Sequence, residues 1–114
     1  MAGVTLKVDT DGRILAWSRD AEALLGWAES EAVGQSVEII IPPQLRERHR
    51  AGFRRFTQTG ISTLPEIATT VALHKSGATL RMGVSVRAVY GEQQNIIAVE
   101  ATFYPPESNV SAGL

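Results

Sequence analysis

His49 has the side chain whose chemistry is easiest to place, because it is an imidazole on an otherwise apolar face of a predicted helix. At 3.6 residues per turn, one helix face carries this set: Leu45, His49, Gly52, Phe53 and Phe56. The other faces are rich in arginine: Arg46, Arg48, Arg50, Arg54 and Arg55. A neutral histidine in that setting suits a flat, anionic, iron-bearing ligand, and a half-buried structural histidine looks the same. The residues alone leave both interpretations open.

The neighbours of His49 would supply the helix side of such a ligand site. Gly52 would let a flat macrocycle approach the helix, and Phe53 and Phe56 would give it apolar contact. Charge-assisted hydrogen bonds to the carboxylates of the ligand could come from three arginines: Arg50, Arg54 and Arg55. The same arginines can also be a solvated helix face near its C-terminal end, where positive charge is favoured.

A later strand would supply the opposite wall. Residues 79–90 alternate, and their apolar positions share one face: Leu80, Met82, Val84, Val86 and Ala88. The first four would form a dry wall facing the helix. Met82 could serve as a second axial ligand, although a methionine at strand spacing is more often part of a core. His74 stands beside a turn and is expected to face solvent.

Composition limits the classes of function. The chain has 114 residues, enough for one domain, and a formal net charge of −1, so its overall field would not hold nucleic acid or an anionic membrane. It has no cysteine, which excludes disulfides, thiolate nucleophiles and cysteine-based metal sites. No apolar run approaches the roughly 20 residues that span a bilayer. We expect a soluble, cytoplasmic protein with a domain at 1–106 and a flexible C-terminal tail at 107–114.

The order of elements predicts an α+β architecture. Strands are predicted at 5–8, 13–17, 66–74, 79–90 and 96–104, with short helices after the second strand and one longer helix from 42 to about 59. Gly26 and Gly60 are expected to end helices. The first hairpin and the last three strands can join in a five-stranded antiparallel sheet, covered on one face by the helices.

With these residues in view, the chain resembles a PAS domain along positions 4–104. The matching stretches are residues 11–18, 21–27, 31–35, 41–43 and 75–78. The resemblance implies a sensing module that encloses a ligand between sheet and helices and relays a change to a partner domain or protein. It also implies a homodimer without catalytic activity.

Within that family, the helix resembles the haem-binding PAS domains of oxygen-sensing histidine kinases. The shared spacing is Arg46-x-x-His49-x-x-x-Phe53-x-Arg55-Phe56, followed by Thr59-Gly60. The resemblance implies that His49 ligates the iron of haem b, that Arg55 approaches a propionate, and that a diatomic gas or the redox state is sensed. The distal side departs from the pattern, because Ala68 and Thr69 stand where these sensors have an arginine.

The sequence also allows functions without haem. The domain could bind a small apolar ligand such as a fatty acid, or act as a ligand-free dimerisation and interaction module. An enzyme is disfavoured, because no nucleotide-binding glycine motif, nucleophile elbow or paired carboxylates are present.

Overall fold

An antiparallel sheet of five strands is the framework of the molecule. The computed structural model describes residues 3–62 and 67–106. The strands are β1 (Val4–Asp9), β2 (Ile14–Trp17), β3 (Ala68–Leu73), β4 (Thr79–Tyr90) and β5 (Ile96–Tyr104). Their order in the sheet is β2-β1-β5-β4-β3, with every neighbouring pair antiparallel. The predicted sheet is therefore confirmed, with β5 at its centre. Position 66, where the third strand was predicted to begin, lies outside the described residues, as does the tail at 107–114.

The hairpin between β1 and β2 is closed by one carboxylate. The Asp9 side chain accepts hydrogen bonds from the backbone N–H groups of Asp11 and Arg13, both at 2.9 Å. Gly12 completes the turn with a φ of 84°. This backbone conformation is readily adopted by glycine and is strained for residues with a Cβ atom. This turn also borders a cavity beside the longer helix.

Two short helices follow the hairpin, and local capping explains where each begins. In α1 (Arg19–Leu25), the Ser18 hydroxyl accepts a hydrogen bond from the N–H of Ala21 at 3.1 Å. Gly26 ends this helix in the left-handed region, as predicted. In α2 (Glu29–Ala32), the Glu31 carboxylate accepts from the N–H of Ala28 at 2.9 Å.

The longer helix is reached through two 3₁₀ turns. Val37–Ile40 and Pro43–Leu45 are both 3₁₀ helices, and α3 (Arg46–Thr59) continues from the second for 14 residues. The first residues of the predicted helix, from Pro43, are therefore 3₁₀ rather than α-helical. Gly60 ends the helix with a left-handed φ of 72°. Within residues 3–62 and 67–106, no helix combines the length and the hydrophobicity needed to cross a membrane.

The core lies between one face of the sheet and the helices. Alternate strand residues point into it, so that Leu6, Val99 and Phe103 are buried side by side in β1 and β5. The 3₁₀ helix Val37–Ile40 contributes Ile40, which is fully buried. Trp17 is also buried, and its indole N–H donates to the carbonyl of Trp27 at 2.7 Å. This arrangement leaves α3 at the edge of the core, over β3, β4 and β5.

Candidate functional site

A cavity of about 650 Å³ lies between α3 and the sheet. Ligand sites in proteins commonly enclose roughly 300–1,000 Å³, so the space is suited to an organic ligand or cofactor. The helical wall comes from the face predicted by periodicity: Leu45, His49, Gly52, Phe53 and Phe56, with Arg48, Ala51 and Arg55 beside it. The sheet wall comes from three strands: Ala68, Thr69, Thr70, Val71, Val84, Val86 and Val99. Ile41, Ile61 and Ser62 complete the lining.

The structure brings nearly all the predicted site residues to this cavity. They are His49, Gly52, Phe53, Arg55, Phe56, Val84 and Val86. Met82 is an exception among them, because it is 3% exposed within the hydrophobic core and does not line the cavity. Leu80 likewise packs against the core. Both share the strand face of Val84, but they lie nearer the start of β4, beyond the cavity. A role for Met82 as an iron ligand is therefore corrected to core packing.

His49 is half-buried at the edge of the cavity, with its ring stacked on Phe53. The ring nitrogen Nδ1 is buried and meets no hydrogen-bond partner among the described residues. Burial lowers the pKa of His49 below its usual value; Glu38 opposes that shift and Arg50 adds to it. The imidazole is therefore neutral at neutral pH, which is the form that binds a metal.

Gly52 lies one helical turn from His49 and leaves the cavity open beside it. Apart from its chain neighbours and the backbone of its own helix, a Cβ built on Gly52 would meet no described atom within 4 Å. The helix gains nothing from a glycine at this position, since an alanine would be more stable in a helix interior by roughly 0.5–1 kcal/mol. The open surface is what a flat ligand pressed against α3 would use.

The arginines of α3 divide between two sides of the helix. Arg48 and Arg55 line the cavity described above. Arg50 instead binds Glu38, and its Nη2 lies 2.9 Å from Oε1 of that carboxylate. Arg54 lies on the same side of the helix as Arg50. The predicted contact of Arg50 and Arg54 with the ligand carboxylates is therefore corrected, because both line the other cavity. Arg55 lines the cavity described above, and its contact with a carboxylate stays a prediction.

A second, smaller and more polar cavity of about 370 Å³ lies on the other side of His49. The hairpin turn lines it with Thr10, Asp11 and Gly12, and residues 36–38 line it with Ser36, Val37 and Glu38. From α3 it receives His49, Arg50, Phe53, Arg54 and Thr57. Hydrogen bonding from Arg50 lowers the pKa of Glu38, so this carboxylate is ionised. His49 and Phe53 thus separate an apolar cavity from a polar one.

His74 does not belong to either cavity. It is half-buried rather than fully exposed, because its ring packs against Gly26 and its Nδ1 accepts the N–H of Ser76 at 3.0 Å. In the part of the chain that the structure describes, no three His, Cys, Asp or Glu residues come together as a metal-ion site. One histidine is enough where a cofactor supplies the remaining metal ligands.

The sequence did not single out several of the lining residues. Thr70, Val71 and Val99 belong to the sheet wall. Thr70 and Val71 are adjacent in β3, so alternation would have found only one of them. Ile41 stands just before the two prolines and enters the cavity because the chain turns there. No sequence pattern indicated that Glu38 contacts Arg50, because this contact joins a 3₁₀ helix to a separate α-helix.

Comparison with known proteins identifies the family. The family model described as "PAS fold" matches residues 1–103. The chain belongs to the PAS family. It is 35% identical over 89 residues to the sensor protein FixL of Bradyrhizobium diazoefficiens, a match that covers 77% of this chain and 17% of that protein. This PAS domain therefore corresponds to a small part of that relative. As a PAS domain, it is a signal-sensing module.

Solved structures support the same fold for this PAS domain. A PAS domain from Colwellia psychrerythraea superposes with a TM-score of 0.77 at 19% identity, over 93% of this chain and 87% of that one. The PAS domain of the quorum-sensing receptor RpfR from Cronobacter turicensis, in complex with C12:0, gives a TM-score of 0.74 at 19% identity. That match covers 92% of this chain and 94% of the other.

Proposed function

We propose that this PAS domain binds haem b through His49 and senses a diatomic gas or the redox state. The observation that carries the proposal is the setting of the imidazole, which is half-buried at the wall of a largely apolar cavity of about 650 Å³. Burial lowers the pKa of His49, which favours the neutral form that binds a metal. The open surface of Gly52 beside it supports a flat ligand. The spacing of His49 and Arg55 matches the haem-binding PAS domains that the helix resembles.

The residues of the cavity suit the parts of a haem. Haem would supply an iron centre whose ligation and oxidation state respond to small molecules and to redox potential. His49 would hold the iron, while Phe53 and Phe56 would contact the ring and exclude water. Arg55 would neutralise a propionate, as would Arg48 from the same side of α3. Val84 and Val86 would keep the opposite face dry.

The strand facing α3 bears on which molecule is sensed. Ala68 and Thr69 line the cavity in place of the arginine of the family pattern. Neither side chain can donate a charged hydrogen bond to a bound diatomic molecule. We propose that this domain stabilises bound oxygen less than an arginine-containing sensor would, which favours carbon monoxide, nitric oxide or iron oxidation as the signal.

The position of the cavity supports a route for the signal. Its walls are α3 and the strands β3, β4 and β5, so a ligand held there would touch the helix and the sheet together. A ligand shifts the two conformations of a sensor only by the difference in its binding free energy to them. The downstream signalling domain and the homodimer implied by the resemblance remain predictions, which co-purification and light scattering of the full protein would check.

The experiment is a titration of the purified protein with haemin, followed by absorption spectra of the oxidised, reduced and carbon-monoxide-treated forms. We expect a stoichiometric Soret band in the wild type and its loss in His49→Ala. The matched control is His74→Ala, which removes the other histidine of the chain and should keep the band. Absence of a specific band in the wild type, or an unchanged spectrum in His49→Ala, contradicts the proposal.

A second candidate is a fatty-acid sensor. The similar PAS domain of RpfR was solved in complex with C12:0, and the cavity of this chain is largely apolar with Arg48 and Arg55 able to meet a carboxylate. Calorimetry with dodecanoate distinguishes the two. Micromolar binding that survives His49→Ala, without a Soret band after haemin addition, would favour the fatty acid.

A further inference from the structure

Thr70 places a hydroxyl group on the otherwise aliphatic sheet wall of the larger cavity. The described residues of this wall are aliphatic apart from two adjacent threonines, Thr69 and Thr70. Thr70 stands opposite Met82 where β3 pairs with β4, and Met82 is buried in the core. Because side chains opposite each other in such a pair share a face of the sheet, Thr70 faces inward, toward α3. Thr69 alternates with it and is exposed.

The hydroxyl of Thr70 is not used by the fold and is open to the cavity. Within residues 3–62 and 67–106 it forms no hydrogen bond, whereas the hydroxyl of Thr57 donates to a backbone carbonyl of α3 at 3.0 Å. Thr70 is half-buried, but its oxygen is not fully enclosed as Nδ1 of His49 is. Its neighbours on the same face, Ala68 and Ala72, have short side chains that leave it uncovered. A molecule in the cavity can therefore reach this hydroxyl.

Thr70 and His49 lie on opposite walls of one cavity. His49 belongs to α3, and Thr70 belongs to the sheet. A flat cofactor held by His49 would turn its other face to the sheet, so a small molecule taken up on that face would lie next to the sheet wall. Hydrogen-bond donors on that side of a haem help to decide which diatomic molecule is held. A threonine hydroxyl can donate one hydrogen bond.

We propose that Thr70 is a specificity-determining residue, whose hydroxyl donates a hydrogen bond to a diatomic molecule held in the cavity. This role rests on the proposed function, because it requires a haem bound through His49. A donor helps polar oxygen more than carbon monoxide, so Thr70 sets how far the domain discriminates between them. The hydroxyl is neutral, and charge-assisted hydrogen bonds are roughly twice as strong. Oxygen is therefore still held less tightly than by the arginine of the family pattern.

The test compares Thr70→Val with Thr69→Val in the purified protein after haemin addition. Valine has nearly the shape of threonine, so each variant loses one hydroxyl and little else, and Thr69→Val is the control on the exposed face. Loss of a donor beside carbon monoxide raises its C–O stretching frequency. We expect Thr70→Val to raise this frequency and to speed oxygen dissociation roughly two- to ten-fold, the effect of losing one neutral hydrogen bond. Thr69→Val should match the wild type.

Two further measurements separate recognition from a structural role. Thr70→Ser keeps a hydroxyl, so its C–O stretching frequency should lie closer to that of the wild type than the frequency of Thr70→Val. In the ligand-free domain, Thr70→Val should unfold at no lower urea concentration than the wild type, because the hydroxyl has no partner to lose. A lower midpoint would show that the fold uses this hydroxyl, and it would count against recognition.

The outcomes distinguish this role of Thr70 from the proposed function. If the wild type binds haemin through His49 but Thr70→Val leaves the frequency and the dissociation rate unchanged, recognition by Thr70 is wrong and the haem site stands. Equal changes in Thr70→Val and Thr69→Val also overturn it, because the exposed hydroxyl would then matter as much. A wild type without a Soret band overturns both proposals.

Discussion

His49 stacks on Phe53, with ring centroids 5.8 Å apart and planes inclined by 19°. The two residues are one turn apart on α3, where side chains four positions apart are neighbours. Both rings border both cavities. The stack therefore fixes the plane of the imidazole, and with it the direction in which a ring nitrogen can reach a ligand.

Replacing Phe53 tests that role of the stack. Phe53→Leu keeps an apolar side chain but removes the aromatic contact, which is worth about 0.5–1.5 kcal/mol. We expect a loss of that size in the free energy of unfolding, measured by urea denaturation, and weaker haemin binding with a broadened Soret band. An unchanged affinity would show that the ring orientation of His49 does not depend on Phe53.

Two glycines of the α3 region should respond to alanine in opposite directions. Gly52→Ala replaces a helix-interior glycine facing open space, so we expect about 0.5–1 kcal/mol of added stability. Haemin binding should weaken in the same variant, because the new methyl group occupies the approach of a flat ligand.

Gly60→Ala is the matched comparison for that prediction. Its φ of 72° is unfavourable for alanine, and the added Cβ would meet the Tyr90 hydroxyl at 2.6 Å. We expect a loss of at least about 1 kcal/mol, measured in the same denaturation experiment. If Gly52→Ala binds haemin as tightly as the wild type, the idea of close approach at α3 is wrong.

His49 should make the stability of the ligand-free domain depend on pH. Burial lowers its pKa in the folded state, so the unfolded chain binds the proton more readily. Its contribution is present above the unfolded value, about 6.5, and is lost as the pH falls through the lower folded value. We expect the free energy of unfolding to fall more steeply in the wild type than in His49→Gln between about pH 7.5 and 5.5. If the free energy of unfolding depends on pH in the same way in both proteins, burial of the His49 ring does not change its pKa on folding.

Arg55 and Arg54 provide a pair of equal charges that line different cavities beside α3. Arg55 lines the apolar cavity and Arg54 the polar one. Arg55→Gln should weaken haemin binding roughly two- to five-fold, as expected for an exposed ion pair, and more so at low salt. Arg54→Gln should bind as the wild type does. Equal effects of both substitutions would indicate general electrostatic attraction rather than a propionate contact.

The sheet could be predicted closely because its signals are local. The predicted bounds 79–90 and 96–104 coincide with β4 and β5, since alternating apolar residues lie between well-marked turns. The 3₁₀ helix Val37–Ile40 was not predicted, because an apolar run of that length has no periodicity to distinguish its conformation. Tertiary contacts determine the conformation of such segments, and these contacts cannot be read from a single sequence.

The candidate site was predictable on the helix side and less so elsewhere. A period of 3.6 residues places His49, Gly52 and Phe56 together whatever lies opposite. In β4, a period of two predicts which side chains share a face but not which part of the strand borders the cavity. Met82 and Val84 therefore looked equivalent in the sequence, whereas Met82 lies in the core and Val84 lines the cavity. Whether these residues hold a cofactor stays a prediction.

Among the 14 residues of α3, Phe56 is the one that is buried. The helix α3 therefore contributes less buried apolar surface to the core than the sheet and the segments before it. If α3 binds a ligand as proposed, substitutions at its exposed positions would change the ligand site at little cost in folding free energy. A domain built in this way could be adapted to a new signal by a few substitutions in α3, while the sheet keeps the fold stable.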